Sequence, residues 1–160
     1  MEKRDLYDKD RNLTGEFIYK GQPVPKGKYI IVILVMIQNS KGEFLIQKTS
    51  SKRNSIFATT GGHVAYGSTF DETVINEVKE ELGIDISNDD FVEVNTYIRE
   101  YYVQKVYYLK KDINIEDITI QESEVDYVKW IDKDTINKLI ENKEFREGNV
   151  EGYQYIIAKK

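Results

Sequence analysis

Cysteine is absent from the 160 residues. That excludes disulfides, a thiolate nucleophile, Cys-ligated zinc and iron–sulfur clusters in one step. Histidine occurs once, at His63. No site of two or three imidazoles can therefore hold a metal, and a Ser-His-Asp triad would rest on that one ring. The two prolines, Pro23 and Pro25, both lie near the N-terminal arm. The longest apolar run, Tyr29 to Ile37, falls far short of the ~20 residues a membrane span needs. Positive charge is not in excess: 23 basic against 28 acidic residues leave a net −5, which argues against a nucleic-acid polymer as partner. Met1 to Arg11 mixes both charge signs without an apolar stretch, so it does not read as a secretory signal. These absences predict a soluble, cytoplasmic protein with no membrane partner.

What is present suits one globular domain over residues 1–160. A chain of this length buries about 70% of its unfolded surface. Its 40% apolar and 32% charged content excludes a disordered tail. Tyr29–Ile37 (YIIVILVMI) is short and β-branched, which predicts a strand covered on both faces. A turn at Asn39–Gly42 and a second strand over Glu43–Lys48 make a hairpin, and a polar loop over Thr49–Ser55 leads to a short strand at Ile56–Thr60. Phe70 to Leu82 is the clearest helix: Phe70, Val74, Val78 and Leu82 recur every four residues, Thr69 and Glu72 form a capping box, and Gly83 stops it. Strands are predicted over Phe91–Glu100, Tyr101–Lys110 and Val125–Ile131, with helices over Asp132–Glu144 and Gly148–Lys160. The order indicates mixed strands flanked by helices, with strand direction left open.

The chemistry concentrates on that first helix. At about 100° per residue, Glu77, Glu80 and Glu81 occupy one sector beside the apolar stripe. Three such carboxylates repel, and a divalent cation is the simplest reason to keep them together. Acids at this spacing also arise by chance on exposed helices. The flanking residues separate the two readings: Gly61-Gly62 precede the helix, a loop with Gly67 leads in, and Gly83-Ile84 close it.

Here the chain resembles the Nudix hydrolases. Their box runs Gly, five residues, Glu, seven residues, then Arg-Glu-apolar-any-Glu-Glu-any-Gly-apolar. It aligns on residues 62–84 through Gly62, Glu77, Val78, Glu80, Glu81, Gly83 and Ile84, seven of nine defined positions. Ser68 and Asn76 stand where the box has its first glutamate and its arginine. Either a neutral Ser68–Asn76 contact replaces the family's ion pair, or Ser68 caps the helix and Asn76 faces solvent. Activity could be reduced or altered in either case.

The resemblance implies an α/β (α+β) fold, an α/β/α sandwich on a mixed β-sheet. It also implies Mg²⁺- or Mn²⁺-dependent cleavage of a diphosphate linked to another moiety, a small phosphorylated substrate. Glu77, Glu80 and Glu81 become metal ligands, with Glu77 able to double as base. A Gly61 or Gly62 carbonyl could complete the set, since glycine permits close backbone approach. Glu122 and Glu124, just before the strand ending near Trp130, are the candidates for a general base in a loop beyond the sheet. His63, Lys48, Lys52 and Arg53 are candidates for phosphate contact, and Arg99, Tyr101 and Tyr102 for a leaving-group pocket. The bland reading of each is a solvated or structural side chain. Homodimer formation is left open.

Two rivals stay in play. Asp5-Leu6-Tyr7-Asp8 with Gly15, then Gly21 to Gly27, resembles the N-terminal arm (residues 1–28) of Nudix proteins related to isopentenyl-diphosphate isomerase. That isomerase uses a cysteine, which this chain lacks. The other rival is a Nudix-like sensor that binds a nucleotide or sugar phosphate without cleaving it.

Overall fold

The structure, a computed structural model, describes residues 2–159. The pattern predicts no strand in the N-terminal arm, yet β1 (Lys3–Tyr7) and β2 (Leu13–Tyr19) pair antiparallel as a separate two-stranded sheet. Their turn closes on a side chain: Asp8 Oδ1 accepts from the N–H groups of Asp10 and Asn12 at 2.8 and 3.0 Å. Arg11 takes the left-handed backbone there, at φ 67°. Such a turn carries no Asn-Gly signature, and the strands are too polar to alternate visibly.

The main sheet is built on β3 (Ile30–Gln38). It leaves a hairpin turn into β4 (Phe44–Thr49), but the two pair only at Gln38 and Phe44 and then diverge. β5 (Phe57–Ala58) lies on β4, and β6 (Thr60–His63) fills the gap along β3. The glycine pair, expected just past a short strand, is thus inside one, with Ile33 opposite Gly62 and Leu34 opposite Gly61. After α1 (Phe70–Leu82), β7 (Phe91–Ile98) and β8 (Tyr102–Lys110) form an antiparallel hairpin. β8 runs parallel to β3 over its whole length, so the sheet is mixed. β9 (Val125–Ile131) pairs with β4 and leads into α2 (Lys133–Glu141), and α3 (Glu147–Ala158) ends the described chain.

The alternation of β3 sorts the core into two layers. Ile31, Ile33, Val35 and Ile37 face α1 and meet Val74, Val78 and Leu82, all three fully buried. Burying each such side chain contributes about 1.5–3 kcal/mol. Leu34 and Met36 face the other way, toward Ile136 of α2 and Tyr153 and Ile156 of α3. Gly152 lets α3 approach closely: a Cβ there would stand 3.0 Å from Leu34 Cδ2. The result is the expected α/β/α sandwich.

α1 is fixed at both ends. Thr69 Oγ1 accepts from Glu72 N–H at 3.1 Å, and Glu72 Oε1 accepts from Thr69 N–H at 3.2 Å. Gly83 closes it at φ 68°, where a side chain would also press on Thr119. The loop ahead of α1 is tied to the N-terminal hairpin: Tyr66 N–H donates to Lys3 O and Gly67 N–H to Asp5 Oδ2, both at 2.9 Å.

Candidate active site

Two adjoining cavities meet at the C-terminal half of α1. The first, about 290 Å³, is lined by Glu77, Glu80 and Glu81, by Gly61 and Gly62, and by Arg53 and Glu124. α1 supplies the acids because residues three and four apart share a face. Gly61 and Gly62 of β6 supply a floor with no side chains, and Glu77 lies directly on it: a Cβ on Gly62 would stand 2.4 Å from Glu77 Cδ. Gly61 is tight for another reason, since its Cβ would come 2.5 Å from the Ile33 carbonyl oxygen.

The electrostatics follow from this crowding. Burial, then the neighbouring charges of Glu81 and Glu80, push the Glu77 carboxyl up to about 8, with Arg53 pulling it partly back. Glu81 is only 3% exposed. Burial pushes it up to about 7 against the lowering influence of the Gln47 side chain, Arg53 and the Gly61 backbone. Its Oε1 is buried with no hydrogen-bond partner among the described residues. Ionised carboxylates in such a place call for positive charge. Among the described residues, no three such groups converge into a ready coordination cluster. The donor set still suits a hard cation: oxygen ligands on one helix face, a glycine floor, and an orphaned buried carboxylate oxygen.

Cations come from two directions. Arg53 pairs with Glu124 at 3.2 Å. Arg4 and Lys20, from the N-terminal hairpin, line the same cavity. Neither was a candidate from the sequence, because only the hairpin's fold brings them near α1. His63 stands at the rim. Partial loss of water around its ring, which stays exposed at the rim, reinforced by Arg4, Lys20 and Arg53 against the opposing charge of Glu2, lowers its pKa to about 4, so the imidazole is neutral at neutral pH.

The second cavity, about 280 Å³, shares Arg53, Gly61, Gly62, His63 and Glu81 with the first and extends under the N-terminus of α3. Tyr102, Gln104, Thr59, Arg146 and Asn149 also line it. Arg146 holds the N-cap position of α3 and makes no side-chain capping hydrogen bond there. Burial and then Arg53 lower the Arg146 pKa. Two cations facing one space make it receptive to an anion.

Not every candidate arrives. Glu122 is exposed and lines neither cavity, while Glu124 lines the first. Lys48 does not reach the site: its Nζ lies 4.3 Å from the centroid of the Phe57 ring. Lys52 is exposed in the short turn Ser51–Arg53. Arg99 is engaged by Glu151 and stacks over Tyr97, and Tyr101 is exposed at the β7–β8 turn, whereas Tyr102 lines the second cavity. The neutral Ser68–Asn76 contact is not formed among the described residues. Ser68 N–H donates to Ala65 O and Asn76 is exposed. The loop is held by Asp5 instead.

With the acids, the glycine floor and the sandwich in place, a family profile supplies the deciding match: that of the NUDIX domain covers residues 28–152. The chain belongs to the Nudix family. An uncharacterized Nudix hydrolase of Listeria monocytogenes is 31% identical over 149 residues, covering 91% of this chain and 88% of the relative. A second, from Clostridium acetobutylicum, is 27% identical and covers 97% and 84%. By family and homology the chain is classed as a Nudix pyrophosphohydrolase. Among solved structures, DR0079 from Deinococcus radiodurans superposes with a TM-score of 0.79 at 18% identity, over 99% of this chain and 100% of that one. The NUDIX domain of Shewanella oneidensis NrtR, solved with ADP ribose, gives 0.66 at 12% identity, over 82% and 88%. Nudix proteins generally use divalent metal ions. No helix among the described residues is long and apolar enough to cross a membrane.

Proposed function

We propose that this Nudix protein is a Mg²⁺- or Mn²⁺-dependent hydrolase. Its substrate is a nucleoside diphosphate linked to another moiety, or a related organic pyrophosphate, cleaved at a phosphoanhydride bond. The observation that carries the reading is that Glu77, Glu80 and Glu81 line one cavity, with Glu81 Oε1 buried and without a hydrogen-bond partner among the described residues. These three carboxylates, with the Gly61 or Gly62 carbonyl, would hold the cation. When bound, it offsets diphosphate charge and lowers the pKa of a coordinated water.

The chain's own groups do the rest. Glu124 is the proton acceptor best supported by geometry, because Arg53 fixes it at the cavity wall. Glu77, resting on Gly62, is the alternative. Arg53, Arg4 and Lys20 orient the phosphates, and the neutral His63 offers a hydrogen bond at the rim.

The test is turnover with Mg²⁺ across dinucleotide, nucleotide-sugar and nucleoside triphosphate substrates. Glu80→Gln and Glu81→Gln are expected to lower kcat by about 10² or more with folding intact. Wild-type rates in both variants refute the assignment. The sensor reading keeps one observation in its favour, the structural likeness to a NUDIX domain that binds ADP ribose. Absence of turnover on every substrate, with ligand binding unchanged in Glu81→Gln, would select it.

A further inference from the structure

Besides Glu81 Oε1, two buried side-chain atoms lack a hydrogen-bond partner among the described residues: Thr59 Oγ1 and Gln104 Oε1. Both residues line the second cavity. Thr59 is 3% and Gln104 4% exposed. Orphaned polar atoms are rare in native interiors, because burial strips them of water without replacement. Two in one cavity, beside the carboxylate site, mark a place shaped for a ligand.

Their chemistry can be read from their neighbours. Gln104 Nε2 donates to the Gly148 carbonyl at 2.7 Å. A carbonyl only accepts, so the amide orientation is fixed and Oε1 is left as an acceptor. Thr59 N–H donates to Asn149 Oδ1 at 3.0 Å, which ties the β5–β6 link to α3 and leaves the Thr59 hydroxyl unengaged. Beside Gln104 on the neighbouring strand, Val32, with Ile30 and Leu34, gives the cavity an apolar lining. Arg53 and Arg146 bring positive charge to the same space. At about 280 Å³ the cavity lies just under the ~300 Å³ lower end of ligand pockets, enough for one ring.

We propose that this cavity seats an uncharged ring bearing hydrogen-bond donors, the sugar or base attached to the diphosphate, and that Gln104 is its specificity-determining residue. The proposal rests on the hydrolase reading for where the phosphates lie, between Arg53, Arg146 and the acids of α1. A hydrocarbon group in the same place would leave Gln104 Oε1 and Thr59 Oγ1 unpaired, so the cavity selects against isoprenyl diphosphates.

The test is equilibrium binding by calorimetry, with Ca²⁺ as the divalent cation. The probes are phosphoribosyl diphosphate, ATP, isopentenyl diphosphate and inorganic pyrophosphate. Wild-type protein is expected to bind the first two more tightly than isopentenyl diphosphate. Gln104→Met is expected to weaken phosphoribosyl diphosphate, ATP or both by about tenfold and to leave pyrophosphate unchanged. Loss on both places the sugar in the cavity, and loss on ATP alone places the base. Thr59→Val is expected to act in the same direction, which keeps the test valid if one variant folds poorly.

Equal weakening of all four probes, no change in any, no binding of either ring probe, or isopentenyl diphosphate bound as tightly as ATP would overturn the proposal. Turnover is not needed for any of these outcomes. Gln104-dependent binding without hydrolysis of any substrate leaves this inference standing and sinks the hydrolase reading. Hydrolysis with Gln104-independent binding does the reverse.

Discussion

Replacing Glu81 by Gln is expected to stabilise the metal-free protein at alkaline pH while lowering its kcat by about 10² or more. Glu81 is buried at the C-terminal half of α1, and its carboxyl is pushed from 4.5 up to about 7. The sign follows from linkage: the folded pKa exceeds the unfolded one, so the folded state keeps a proton that the unfolded state has already lost. Stability therefore falls as pH rises from about 4.5 to 7 and levels off above that. At 1.36 kcal/mol per unit, the loss at pH 8 is about 3 kcal/mol. An amide of the same shape carries no such loss but must seat its NH₂, at roughly 1 kcal/mol. The net gain at pH 8 is about 2 kcal/mol, or roughly 4–8 °C for a domain of this size. Removing the Glu81 charge also relieves Glu77, for which it is the largest cause after burial. The assay is thermal unfolding in EDTA from pH 5 to 8, repeated with Mg²⁺. Wild type should lose stability across that range and regain it with Mg²⁺, while Glu81→Gln should vary less with pH and respond less to the metal. A variant less stable than wild type at pH 8, or a difference identical at pH 5 and 8, would refute the reasoning.

Gly61→Ala and Gly62→Ala should part company. The first meets backbone at Ile33 and is expected to lose about 1–3 kcal/mol in denaturant unfolding. The second meets only the end of the Glu77 side chain and should fold normally but lose turnover as that carboxylate is displaced. Asp5→Ala removes the acceptor for Gly67 N–H and should cost about 1–2 kcal/mol. Hydrogen exchange at residues 66–68 should then accelerate; unchanged protection there would show that the hairpin does not hold the loop.

How much of this was legible in the chain varies by residue. β3 announced itself as a continuous β-branched run because both of its faces are buried. α1 did so through its four-residue period and capping box, both local properties of the chain. Glu77, Glu80 and Glu81 were visible as a set because a helix converts spacing directly into proximity. The other half of the site depends on tertiary neighbours. Arg4 and Lys20 arrive through a polar hairpin, and Arg146 through the link between α2 and α3. Gln104 looks like any strand residue until Gly148 fixes its amide. Arg99 and Lys48 were credible by charge alone, but their partners, Glu151 and the Phe57 ring, hold them elsewhere.

The parallel register of β3 with β8 bears on the order in which the molecule comes together. Residues paired there lie about seventy positions apart, so their loop closure is entropically slow beside the local formation of α1 or the β7–β8 hairpin. Gly61 and Gly62 are attached to β3, whereas Gln104 belongs to β8. The glycine floor under Glu77 and the Gln104 side chain are therefore brought into one site only through this long-range pairing. A substitution that shifts the β3–β8 register is expected to move Gln104 relative to Gly61 and Gly62 while leaving the capping box and closing glycine of α1 intact.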